Sequence, residues 1–173
     1  MKRIYVLRHA KSSWDDPGLA DHDRPLADRG RRATKLLAEH LREAGIVPEL
    51  VLCSSARRTQ ETLEGIAPAL GDEPTESKYE VLIEPELYLA SAGDLLARLH
   101  AIPGTVDSVL VIGHNPGVQA LATSLAGNGE ELDRVRRKYP TGALAALEFR
   151  NGWRELEPGA ATLVEFVKPK DLG

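Results

Sequence analysis

Four short apolar runs, each about one buried strand long, constrain this chain more than any other feature: residues 4–7, 50–53, 79–83 and 108–112. Strands that are apolar on both faces belong to parallel sheets, because crossover helices cover them above and below. Helical periodicity lies between the runs. Residues 30–44 carry Ala33, Leu36, Leu37 and Leu41 near helical spacing, and Gly45 can stop that helix. Ser55 is in place to cap a helix from 56 to about 70, and residues 93–102 form another. The most hydrophobic run, 108–112, leads through Gly113-His114-Asn115-Pro116-Gly117 into a helix ending near 126. Residues 142–149, 153–157 and 161–167 read as strands, joined by Asn151-Gly152 and Pro158-Gly159 turns. The expectation is an α/β fold, a single three-layer α/β/α domain over residues 1–173 with a largely parallel central sheet. There are no repeats, low-complexity tracts or linkers to divide it.

Bulk properties remove several function classes. A formal charge of −4 argues against a nucleic-acid partner, whose footprint would be basic. No apolar run approaches the roughly 20 residues of a membrane span, so no membrane partner is expected. Lys2 and Arg3 come too soon for a signal peptide, and the single cysteine, Cys53, has no partner for an internal disulfide. The expected compartment is the cytoplasm.

In a parallel α/β sheet, sites form outside the carboxyl ends of the strands. The first strand here ends in Arg8-His9, the second runs into Arg57-Arg58, and the 108–112 strand ends at Gly113-His114. If these ends meet, two Arg and two His converge on one concave spot suited to a phosphate dianion. The helix beginning near Asn115 would add backbone N–H groups. No His-x-x-x-His pair offers metal-ligand spacing, and no Gly-x-x-x-x-Gly-Lys loop is present. Neither a metal nor a cofactor is expected. In the cysteine-phosphatase pattern Cys-x-x-x-x-x-Arg, the arginine's place after Cys53 is held by Thr59, and Arg58 falls one short.

Three segments resemble the motifs of the histidine phosphatase superfamily. Leu7-Arg8-His9-Ala10 is similar to its Arg-His-Gly signature, with Ala10 for the usual Gly. Ser54-Ser55-Ala56-Arg57-Arg58-Thr59-Gln60-Glu61-Thr62 resembles its Ser-Pro-x-x-Arg-Ala-x-x-Thr segment, and Gly113-His114-Asn115 its late Gly-His motif. The order and spacing agree over about residues 3–125. Arg8-His9-Ala10-Lys11-Ser12-Ser13-Trp14, Asp23-Arg24-Pro25-Leu26, Leu87-Tyr88 and Lys138-Tyr139-Pro140-Thr141-Gly142 resemble the short SixA-type phosphohistidine phosphatases. The resemblance implies a phosphoglycerate-mutase-like fold, a phosphohistidine intermediate on His9, and a phosphate pocket of Arg8, Arg58 and His114. It implies as partner a phosphohistidine-bearing protein or a small phosphorylated substrate.

Many superfamily members carry a proton-donating Glu in a Leu-x-Glu segment; its counterpart here is Leu87-Tyr88-Leu89, with Leu89 at the acid position. A poor leaving group needs a donated proton, whereas a departing imidazole can be protonated at neutral pH. The missing acid favours phosphohistidine or another phosphoramidate. The alternatives are a small-molecule phosphomonoesterase using Glu84 or Glu86 as acid, and a non-catalytic phosphate-binding module. Lesser candidates keep two readings each. Ser12 bonds phosphate or caps its loop, Arg24 reaches phosphate or anchors a turn, and Thr141 lies at the pocket rim or away from it. Trp14 packs the loop over the pocket edge or touches substrate. Arg57 is read as a solvated helix residue, and His22, His40 and His100 as surface residues. The run Arg134, Arg136, Arg137 and Lys138 is a solvated face or a docking surface for an acidic partner.

Overall fold

The computed structural model describes residues 1–71 and 79–173. The apolar runs become β1 (Lys2–Arg8), β2 (Leu50–Ser54), β3 (Glu80–Glu84) and β4 (Ser108–Gly113), all mutually parallel. Beyond β1 lie β5 (Ala126–Asn128), β6 (Leu144–Phe149) and β7 (Ala161–Val167), and among the described strands only β6 is antiparallel. The seven strands form one sheet in the order β3-β2-β4-β1-β6-β7-β5.

Alternation along each strand feeds two cores, one on each face of this sheet. Tyr5, Leu7, Val51, Cys53, Leu110 and Ile112 pack with Leu37, Ala38 and Leu41 of α1 (Asp28–Ala44) and Leu63 and Ile66 of α2 (Arg57–Ile66). Their neighbours Ile4, Val6, Leu52, Val109 and Val111 face α3 (Ala92–His100), α4 (Gly117–Leu125) and α5 (Leu132–Arg137). Each fully buried Leu, Ile or Val contributes about 1.5–3 kcal/mol of transfer free energy, so both layers hold the strand ends firmly. The largely parallel three-layer α/β/α fold is the one expected. Gly45 does end α1: with φ 67° it adopts the left-handed conformation, and Ile46 N–H returns to the Leu41 carbonyl at 2.9 Å.

Several local expectations are corrected. The buried face of α1 is Thr34, Leu37, Ala38 and Leu41, while Ala33 and Leu36 are half-buried. The cause is close packing on α2, where a Cβ at Gly65 would lie 2.3 Å from Thr34 Oγ1. Ser55 does not cap α2. Ala56 holds that position without a side-chain bond, and the Ser55 hydroxyl pairs with His22. Residues 153–157 are not a strand: Trp153–Glu155 form a 3-10 turn that buries the Trp153 indole, whose N–H donates to the Val106 carbonyl at 2.7 Å. Strand β5 and helix α5 were not anticipated. No helix of the described residues is long and apolar enough to cross a membrane.

Candidate active site

The carboxyl ends of β1, β2 and β4 do meet. Neighbours in the sheet, they put Arg8-His9, Ser54 and Gly113-His114 side by side. The His9 and His114 rings lie 5.3 Å apart between centroids, and both side chains are buried. His9 Nδ1 sits 2.7 Å from the Ala10 carbonyl. A carbonyl can only accept, so Nδ1 carries the proton and Nε2 keeps a free lone pair. Burial, aided by the charges of Arg58, Arg8 and Arg24, pushes the His9 pKa down to about 4. The ring is therefore neutral at physiological pH, as a nitrogen nucleophile must be.

The arginines are held by two kinds of partner. Arg8 donates through Nη1 to the Tyr139 carbonyl at 3.0 Å, while its buried Nε has no partner among the described residues. Burial first, and then Arg58, lowers the pKa of Arg8. Arg58, on the first turn of α2, donates to the Asp21 carbonyl at 2.7 Å and to Asp21 Oδ2 at 2.9 Å. Arg24 is buried as well: Nε reaches the Ser13 carbonyl, Nη1 reaches Asp21 Oδ1 at 3.0 Å, and Nη2 reaches Ser12 Oγ at 2.6 Å. Asp21 thus gathers both guanidinium groups. Its carboxylate also accepts from the Tyr88 hydroxyl, and with Arg58 and Arg24 this hydrogen bond holds its pKa far below the usual carboxylate range.

His114 Nε2 lies 2.8 Å from Ser54 Oγ, whereas its Nδ1 is buried without a partner among the described residues. When the Ser54 hydroxyl donates to Nε2, Nδ1 bears the proton and offers it as a donor. Burial, His9 and Arg58 push the His114 pKa down to about 3, so this donor is neutral. The Tyr88 ring stacks on His114, with centroids 5.4 Å apart.

The remaining expected residues divide. Ser12 is buried and serves Arg24 as its acceptor. Thr141 is half-buried and lines a neighbouring basic cleft. Arg57 is exposed and paired with Glu61 across one helical turn. Trp14 does not pack down: it is 70% exposed, with the Arg24 guanidinium 3.2 Å above its ring centroid. Glu84 is turned to Arg98 in a bidentate pair at 2.7 and 3.0 Å, and Glu86 is exposed. Leu89 is also exposed, and it is Tyr88 that its segment presents to His114. The first turn of α4 uses its own N–H groups, since those of Val118 and Gln119 donate to the His114 carbonyl and Asn115 Oδ1. His22, His40 and His100 are not bare surface residues; the Nε2 of each meets a partner, respectively Ser55, Glu165 and the Leu156 carbonyl. Cys53 is fully buried and burial pushes its thiol up to about 12, so it is no thiolate nucleophile. Among the described residues no His, Cys, Asp or Glu group is arranged to hold a metal ion.

Asp21, Ser54 and Tyr88 were missed as site residues. Asp21 stands three before Arg24, a spacing that pairs opposite charges within one turn, and Ser54 closes β2 beside a histidine-bearing strand. Those were the available signals.

Residues 4–88 match the family model described as the histidine phosphatase superfamily (branch 1). An uncharacterised Mycobacterium tuberculosis protein is 38% identical over 171 residues, covering 95% of this chain and all of that one. The phosphohistidine phosphatase SixA of Escherichia coli is 34% identical over 125 residues, covering 71% of this chain and 73% of its own. A solved structure of the protein histidine phosphatase SixA complexed with tungstate superposes with a TM-score of 0.78 at 26% identity, covering 99% of both chains.

Proposed function

The chain belongs to the histidine phosphatase superfamily, and from that premise we propose that it hydrolyses phosphohistidine, or another phosphoramidate, through a covalent phosphoryl group on His9. His9 Nε2 attacks phosphorus, and the bond from phosphorus to the substrate nitrogen breaks. That nitrogen takes a proton from solvent, and a water in line with His9 then releases phosphate and restores the neutral ring. Arg8, Arg58 and His114 act throughout as fixed donors to the transferring oxygens, with Arg24 behind them. Positioning and charge are what phosphoryl transfer chiefly needs, so neither metal nor cofactor is required.

The observation that carries this proposal is the state of His9, neutral, with Nδ1 committed to the Ala10 carbonyl and Nε2 free, among three arginines. The choice of leaving group follows from the carboxylates. Asp21 is held deprotonated, Glu84 is bound by Arg98, and the Tyr88 hydroxyl is given to Asp21. With no acid poised among the described residues, leaving groups that depart without a donated proton are favoured. A phosphohistidine-bearing protein in a reducing cytoplasm is the substrate and setting most consistent with this chemistry.

Rapid quench with a labelled phosphohistidine peptide should trap an acid-labile, base-stable phosphoenzyme in the wild type and none in His9→Ala. An acid-stable adduct, or one on Cys53 or a serine, would overturn the mechanism. The phosphohistidine peptide and 4-nitrophenyl phosphate should be cleaved on the order of 10²-fold or more faster than phosphoserine, with EDTA leaving the rates unchanged. Equal rates on phosphoserine would shift the assignment to a small-molecule phosphomonoesterase.

A further inference from the structure

Beside the histidine pocket lies a second concavity, a cavity of about 170 Å³ whose charged lining is Lys11, Arg29, Lys138, Lys168 and Lys170, with no carboxylate. It is built from the same backbone as the site. Lys11 follows His9 by two residues, and its carbonyl receives the Ala27 N–H at the entry to α1. On the other wall, the Tyr139 carbonyl accepts from Arg8, and Gly142 N–H donates to the Arg8 and His9 carbonyls at 3.1 and 2.9 Å.

None of these five cations forms an ion pair among the described residues, although the chain carries a net charge of −4. Just outside, the pattern reverses: Arg134 is bound to Glu131 and Asp171, and Arg136 lies 3.7 Å from Asp133. The basic run noted in the sequence is therefore split: Arg134 and Arg136 are paired within the protein, Arg137 forms no ion pair among the described residues and lies outside the cleft, and Lys138 faces the cleft. Five like charges around one concavity repel one another, and a ligand of opposite charge relieves that repulsion.

We propose that this cleft docks an acidic polypeptide segment of the phosphorylated protein substrate, next to the phosphohistidine that enters the His9 pocket. The proposal rests on the phosphatase function above. Small-molecule sites usually span about 300–1,000 Å³, so this cavity is too small for a cofactor-sized ligand but has room for a carboxylate side chain. Exposed lysines on flexible stems suit a chain of spaced carboxylates, since a single second phosphate is better held by rigid arginine forks. Charges of this kind steer association, and their effect falls with added salt.

The test compares wild type, the double variant Lys138→Glu/Lys170→Glu and a control, Arg150→Glu/Arg154→Glu, with the same change of net charge. Arg150 follows the far end of β6, whose Phe149 pairs with Lys2 at the amino end of β1, the end of the strands opposite the histidine pocket. Substrates are a phosphohistidine peptide flanked by Glu, the same peptide flanked by Gln, and 4-nitrophenyl phosphate. In the cleft variant, KM for the Glu-flanked peptide should rise on the order of tenfold with kcat unchanged. The other two substrates should be unaffected, and the salt dependence for the acidic peptide should flatten. Equal effects of the control variant, equal KM for both peptides in the wild type, or a matching loss on 4-nitrophenyl phosphate would each overturn the docking assignment. If neither peptide is hydrolysed while 4-nitrophenyl phosphate is, the phosphohistidine proposal has failed instead. Fluorescence anisotropy of a labelled, unphosphorylated Glu-rich peptide then decides the cleft alone: weaker binding by Lys138→Glu/Lys170→Glu than by the control supports it, and equal binding overturns it.

Discussion

Asp21 holds a position that an anion-binding pocket would not be expected to give a carboxylate. Its two oxygens occupy donors of Arg58 and Arg24, so it fixes both guanidinium groups and competes with phosphate for them. Asp21→Asn should therefore tighten inhibition by vanadate or tungstate and lower Tm, because a negative charge leaves the pocket while buried Arg24 loses its ion pair. Weaker vanadate inhibition would show that Asp21 acts only by placing Arg58. The two arginines of the second motif separate equally sharply. Arg58→Ala should lower kcat/KM by about 10²-fold or more, since it removes a charge-assisted donor, whereas exposed Arg57, spent on Glu61, should cost little. Equal losses, measured with 4-nitrophenyl phosphate, would contradict this assignment. His9, Arg58 and His114 were legible in the sequence because each stands just beyond a strong strand signal. Asp21 was not, since its part depends on where a long polar loop folds back, and no periodicity encodes that. Leu89 is exposed, and the sequence did not reveal that its neighbour Tyr88 would be the residue that stacks on His114.

At the scale of elements, the pocket depends on how closely α1 approaches the loop after β1. A Cβ added at Gly30 would lie 2.2 Å from the Lys11 carbonyl oxygen, which is backbone and cannot swing aside. That carbonyl also receives Ala27 N–H, so the first turn of α1 and the Lys11–Ser12 segment are one unit. Gly30→Ala should destabilise the protein by about 1–3 kcal/mol despite the better helix propensity of alanine. It should also lower kcat/KM, because the displaced loop carries Ser12 and, through it, Arg24. Differential scanning calorimetry beside steady-state rates checks this, and an unchanged or higher Tm would mean that the contact relaxes at no cost. The parallel strands and major helices were readable because their apolar periods are strong. Elements whose identity rests on tertiary demands were not. Trp153 forms a turn rather than a strand because its indole must be buried and its N–H satisfied. Helix α5 hides in a charged run because it buries only Leu132 and Val135.

Across the whole molecule, the pocket couples catalytic readiness to stability. Two buried histidines stay neutral among Arg8, Arg24 and Arg58, with pKa values of about 4 for His9 and about 3 for His114, against about 6.5 for an unperturbed histidine. Because these values are depressed, the unfolded chain binds protons first as pH falls. Stability is therefore full above pH 6.5 and is lost progressively down to the folded values. Asp21, depressed below the usual carboxylate range, adds a loss of the same sign, but only once pH drops into that range, where the unfolded chain begins to protonate it. Between pH 7 and pH 5 the histidines dominate, and linkage assigns roughly 2 kcal/mol to His9 over that interval. Urea unfolding of the wild type should accordingly show a steep fall in stability across this window. His9→Ala should flatten it by about that amount, while Asp21→Asn should leave the slope unchanged there. A wild-type stability independent of pH from 7 to 5 would mean that His9 binds its proton in the folded state as readily as in the unfolded chain, so that its lone pair would be lost to protonation as pH falls through about 6.5. The same experiment thus tests the chemistry: a histidine that costs stability on acidification is one held ready as a nucleophile at neutral pH.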